Sequence, residues 1–141
     1  MLSNHDIIAI CKRVSLDLAG VVMRNQTYPS CKMKLLVINL DDLQGPGTHW
    51  CGLIEFPKSF EYFDSYGLDC PTEVTKHIGS KPLYYQNDVM QSLSSDTCGW
   101  FVIYWAWLRL IKKHKKSIVE PEYINEDSIK TFRAIVNGNK Q

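Results

Sequence analysis

A thiol attacks a carbonyl carbon efficiently only as its thiolate, and the anion is favoured by a helix N-terminus or a neighbouring imidazolium. Cys98 stands where both can act. The polar stretch SLSSDT precedes it, and the run CGWFVIYWAWLRLIKKHKK that it opens is apolar nearly all round. Such a run reads as a helix inserted into a core, with Cys98 in the first turn. Gly99 beside it allows close approach of a substrate backbone. An isolated buried cysteine is more often a small packing residue. Here the partners that a nucleophile needs occur elsewhere in the chain.

His49 and Asp64 are those partners. The segments HWCGLIEF (49 to 56) and FEYFDSYG (60 to 67) are aromatic-rich and read as two strands of a hairpin around Pro57 and Lys58. Any even-length turn there puts His49 and Asp64 on one face, at neighbouring or diagonal positions. The carboxylate then fixes the tautomer and orientation of an imidazole that exchanges protons with a nucleophile and a leaving group. Gln91, seven residues before Cys98, offers a side-chain amide that can donate to an oxyanion together with the Cys98 backbone N–H.

Other candidates carry less. His5, His77 and His114 lack an acid and a cysteine in context, and Cys11, Cys31, Cys51 and Cys70 read as packing residues. Cys51 and Cys98 beside His49 would supply too few ligands for a closed zinc site, so no metal is expected. Trp100, Trp105 and Trp107 read as core rather than as a base-stacking stripe. Lys112, Lys113, Lys115 and Lys116 read as a solvated cationic end of the Cys98 helix.

The elements that must hold these groups are short. Ser3 and Asp6 form a capping pattern, and Ile7, Ile8, Cys11, Val14 and Leu18 recur at helical spacing, predicting a helix near residues 4 to 17 that Gly20 follows or ends. KLLVINL (34 to 40) predicts a buried strand, closed by a loop over 41 to 47. Pro71, in a first-turn position, and Gly79 bracket a short helix, and PLYYQN (82 to 87) predicts another strand. Pro121 and the pattern Tyr123, Ile124, Ile129, Phe132, Ile135, Val136 predict a last amphipathic helix ending near Gly138.

With 141 residues and no repeat, linker or low-complexity tract, the chain is expected to form a single domain over residues 1–141. The net charge of +1 gives no global attraction to nucleic acid or membrane. Five scattered cysteines without a C-x-x-C pair read as reduced thiols, and the charges within the first twenty residues are unlike a signal peptide, so an intracellular setting is expected. The longest apolar run, 100 to 108, is too short to span a bilayer.

The ordered set G-T-H-W around His49, Y-F-D-S-Y-G around Asp64 and Q-S-L-S-S-D-T-C-G-W from Gln91 to Cys98 resembles the adenovirus-type (adenain-like) cysteine proteases, relatives of the SUMO-specific proteases. The resemblance covers about half of the chain at the level of motifs. Papain-type enzymes place the cysteine first, whereas here it comes last. Asp64 resembles the SUMO-protease choice of acid; the Gln91-to-Cys98 step and L-S-N-H-D-I with A-G-V-V-M-R-N resemble viral forms. The resemblance implies a papain-like α+β fold with the Cys98 helix packed centrally against a mixed β-sheet. It implies Cys98 as nucleophile, His49 as base and then acid, Asp64 as orienter, Gln91 as oxyanion donor, and Trp50 as a wall of a narrow cleft. The implied activity is cleavage of viral precursor proteins at small-residue, Gly-containing sites, in the virion and host nucleus. A SUMO- or ubiquitin-like deconjugase and a catalytically silent peptide- or nucleic-acid-binding module are the alternatives. No cofactor is expected for the chemistry itself; an activating peptide and DNA are implied by the resemblance alone. The chain is expected to be monomeric, with weak or no nucleic-acid binding.

Overall fold

The computed structural model describes residues 1–41, 49–86, 88, 90 and 97–138. Among them the chain forms helix α1 (Asn4–Arg13), strands β1 (Leu18–Met23), β2 (Leu35–Asn39), β3 (Trp50–Glu55) and β4 (Phe60–Phe63), helix α2 (Thr72–Ile78), strand β5 (Leu83–Tyr85), and helices α3 (Cys98–Leu110) and α4 (Glu126–Val136). The strands make one five-stranded mixed sheet in the order β1-β2-β3-β4-β5. β1 runs parallel to β2, β2 to β4 are mutually antiparallel, and β5 runs parallel to β4. The α+β expectation is met at this level.

The centre of the sheet is a hairpin. Phe56 N–H donates to the Ser59 carbonyl at 2.7 Å, which closes a two-residue turn at Pro57 and Lys58. The register that follows pairs Glu55 with Phe60 and Gly52 with Phe63. Alternation then sends Trp50, Gly52 and Ile54 to one face and Cys51 and Leu53 to the other.

Both faces are covered, so β2 and β4 are buried at every position. On one face Leu35, Val37, Trp50, Ile54 and Phe63 pack with residues of α1, α3 and α4. On the other, Leu36, Ile38, Cys51, Leu53 and Tyr62 pack with Val74 and Ile78 of α2 and with Cys31. α3 has apolar side chains around most of its circumference because it lies between the sheet and the two other helices. Gly52 is the point of closest approach. A Cβ there would stand 2.8 Å from Val102 Cγ1 and 2.9 Å from Trp105 Cζ3. Among the described residues no helix is long and apolar enough to cross a membrane.

The helix at the start holds, with the Ser3–Asp6 box formed in both directions at 3.1 and 2.8 Å. It stops at Arg13, however, and Leu18 and Gly20 belong to β1. Leu18 continues the helical stripe by spacing alone; the chain turns first, through Ser15 at φ 58°. The strand is held by parallel partners far along the chain, which local pattern does not reveal. The last helix starts at Glu126 rather than near Pro121, because Asn125 and Ser128 cap it reciprocally. Pro71 occupies the N-cap position of α2 rather than its first turn. α3 ends at Leu110; its final carbonyls accept the N–H groups of Ile111, Lys112 and His114, so the lysines lie just past the helix. The loop expected over 41 to 47 lies outside the described residues except for Asp41, and the stretch SLSSDT except for Thr97.

Candidate active site

His49 immediately precedes β3 and Asp64 immediately follows β4. Continuing the hairpin register past its last pair sets His49 across from Tyr66 and diagonal to Asp64. The side chains meet accordingly. His49 Nε2 and Asp64 Oδ1 are 2.7 Å apart, in a pair that is 5% exposed at the histidine and 0% at the aspartate. Leu40 N–H donates to the His49 carbonyl at 2.9 Å, which ties the histidine backbone to the end of β2.

Tyr66 joins both partners. Its backbone N–H donates to Asp64 Oδ1 at 2.8 Å, and its ring stacks on the His49 imidazole with centroids 4.3 Å apart and planes 18° from parallel. Tyr66 was not singled out in the sequence. The signal was available in the alternation, since residues 64 and 66 share a face and 66 falls opposite 49.

Cys98 is the first residue of α3 and is buried. Residues at this end of a helix have N–H groups without intrahelical partners, and the helix dipole favours negative charge. With Nε2 engaged by Asp64, the remaining nitrogen of His49, Nδ1, is buried and has no hydrogen-bond partner among the described residues. Cys98 is nonetheless among the groups that act on the ring. Burial pulls the His49 pKa down, but the hydrogen bond to Asp64, the contact with Cys98 and the charges of both outweigh it and hold the imidazole at about 9.

The other four cysteines are held as thiols by burial. Burial pushes the thiols of Cys11 and Cys70 up to about 12 and that of Cys31 to about 11, and it raises Cys51 strongly. Cys51, the conceivable metal partner, instead donates its thiol to the Ile38 carbonyl at 3.4 Å.

Of the residues singled out as chemical, the structure joins His49 to Asp64, and Cys98 is among the groups that act electrostatically on the His49 ring. Gln91 lies outside the described residues. Trp50 and Gly99, expected at the substrate cleft, both pack against the N-terminal segment. Trp50 was expected to wall a cleft, yet it is 4% exposed, and its indole N–H donates to the Leu2 carbonyl at 3.0 Å. Position 50 alternates onto the face that α3 covers, so the indole enters the core. Gly99 was expected to admit substrate; a Cβ there would meet Leu2 Cδ1 at 3.0 Å and Trp50 Cδ1 at 3.3 Å. Its missing side chain makes room for Leu2 and Trp50, and both residues support the first turn of α3 from behind.

No family profile matches the sequence, and no curated protein matches it. Among solved structures, the chain is similar to the selenomethionine form of the ASFV pS273R protease, at 18% identity with a TM-score of 0.49. That match covers 76% of this chain and 44% of the other, so this chain spans less than half the length of that protein.

Proposed function

We propose that the chain is a cysteine endopeptidase. The observation that carries the reading is the His49 ring held by Asp64 Oδ1 at 2.7 Å on one side, with the Cys98 sulfur acting on it from the start of α3. In the first half-reaction the Cys98 thiolate attacks the scissile carbonyl carbon, and the oxyanion is met by the Cys98 backbone N–H and the Gln91 side chain. The C–N bond breaks as protonated His49 delivers its proton to the leaving amine. In the second, His49 takes a proton from water, the resulting hydroxide attacks the thioester, and the carboxylic acid product leaves Cys98 as thiolate. Asp64 keeps the imidazole in the needed tautomer throughout. Gln91 enters this scheme through the motif resemblance.

The same resemblance supports viral precursor proteins as substrates, cut at Gly-containing sites in the virion and host nucleus, with an activating peptide and DNA as partners of a monomer. The aspartate at 64 favours a second reading of substrate, a ubiquitin-like protein ending in Gly-Gly and joined through an isopeptide bond.

One experiment addresses both levels. The protein is incubated with a Gly-containing peptide vinyl sulfone and, separately, with a ubiquitin-like protein carrying a C-terminal vinyl electrophile, and adducts are mapped by mass spectrometry. Labelling at Cys98 that Cys98→Ala abolishes and His49→Ala slows is expected. A chain that reacts with neither probe at Cys98, both alone and with a candidate activating peptide and DNA, is a silent binding module and not a protease. Reaction with the ubiquitin-like probe alone transfers the assignment to a deconjugase.

A further inference from the structure

α3 carries a second polar group on the stripe that begins with Cys98. Arg109 lies eleven positions on, about three turns and roughly 16 Å along the same face of the helix. The stripe Cys98, Val102, Trp105, Arg109 is the one that meets the sheet. Val102 and Trp105 close on Gly52, and the Trp105 ring stacks on Phe63 at 5.3 Å. At the far end Arg109 Nε donates to Glu61 Oε1 and Nη2 to Glu61 Oε2, each at 2.6 Å, in a two-pronged ion pair. The side chains are only 9% and 2% exposed. The guanidinium also lies 4.8 Å from the centroid of the Phe56 ring and donates through Nη1 to the His114 carbonyl.

A buried ion pair is a poor source of stability, since the cost of desolvating both charges offsets most of their attraction. Its clearest physical use is to fix register. α3 is in need of that. Contacts between apolar surfaces tolerate sliding, whereas a planar fork on a carboxylate has one geometry. Glu61 sits on β4 three residues before Asp64, and Arg109 shares α3 with Cys98. The pair therefore links the element bearing the nucleophile to the element leading to the acid.

We infer that Arg109 and Glu61 are positioning residues that set the axial register of α3 on β4 and thereby the distance from the Cys98 sulfur to the His49 ring. The inference rests on the protease reading of Cys98 and His49. It assigns neither residue any contact with substrate.

The test is the rate at which iodoacetamide alkylates Cys98, followed by mass spectrometry as a function of pH. The groups facing His49 are Asp64 after β4, Tyr66 beyond it and Cys98 from α3, so a retreat of Cys98 removes one of the influences that hold His49 at about 9. The double variant Glu61→Leu/Arg109→Met removes both charges and keeps the site apolar. It is expected to melt near the wild-type temperature. It should also alkylate Cys98 about tenfold or more slowly, and its His49 imidazole, followed by NMR, should titrate at lower pH than in the wild type. Arg109→Lys keeps the charge but loses the fork, and it is expected to shift both readouts in the same direction. Should the double variant fail to fold, Arg109→Lys decides alone. A folded variant with wild-type alkylation rate and wild-type His49 titration overturns the inference and leaves the protease reading standing. A wild-type protein whose Cys98 reacts no faster than Cys70 overturns both.

Discussion

His49 is the residue whose environment has the most direct consequences. Because its folded-state pKa of about 9 lies above the ordinary 6.5, the histidine is protonated at neutral pH, which is what the proposed proton delivery to a leaving amine requires. Peptidase activity should fall as pH rises through about 9, read as the alkaline limb of kcat/KM. Asp64→Asn removes the strongest of the raising influences, so that limb should move toward lower pH while activity drops by roughly 100-fold or more. An unmoved limb in that variant removes Asp64 from the mechanism. The same shift acts on stability. The folded state binds the proton more tightly than the unfolded one, so the contribution is fully present below about 6.5 and is lost as pH climbs through about 9. Melting temperature should decline across that window, and His49→Gln should flatten the decline.

Among the elements, α3 and the β3–β4 hairpin decide whether the site exists, and Gly52 is where they touch. Gly52→Ala places a methyl group against Val102 and Trp105 at under 3 Å, neither of which can retreat from a filled core. Overpacking of this kind costs about 1–3 kcal/mol, measurable by urea unfolding. Because the helix that must yield carries Cys98, alkylation of Cys98 should slow as well. The N-cap of α4 is a separable case. Asn125→Ala loses the bond from Ser128 N–H at 3.0 Å and should cost about 1 kcal/mol, leaving Cys98 reactivity unchanged. At this scale the sequence was readable where residues announce themselves nearby: the Ser3–Asp6 box, the turn at Pro57 and Lys58, and the apolar helix after Cys98. β1 was missed because its six residues are all half-buried and show no alternation. Parallel pairing with β2 is what makes them a strand.

For the molecule as a whole, one sheet with both faces covered predicts cooperative unfolding. Cys11 reports on the face under α1 and α3, and Cys31 and Cys51 on the face under α2. In brief thiol pulses at increasing urea, all three should become reactive in one transition that coincides with loss of tryptophan fluorescence signal. Earlier exposure of Cys31 and Cys51 would show that the α2 layer opens by itself.

The sequence by itself determined how His49 reaches Asp64, because a two-residue turn and a period of two are local rules that carry over fifteen positions. It also determined that Cys98 opens a core helix, since an apolar run of that length has few other places to go. Only the tertiary structure decided where Trp50 and Gly99 point, that Tyr66 stacks on the imidazole, and that Arg109 finds Glu61. Those outcomes depend on which sheet face α3 covers and how far along it the helix sits. Such long-range packing choices leave no mark on residues close together in the chain.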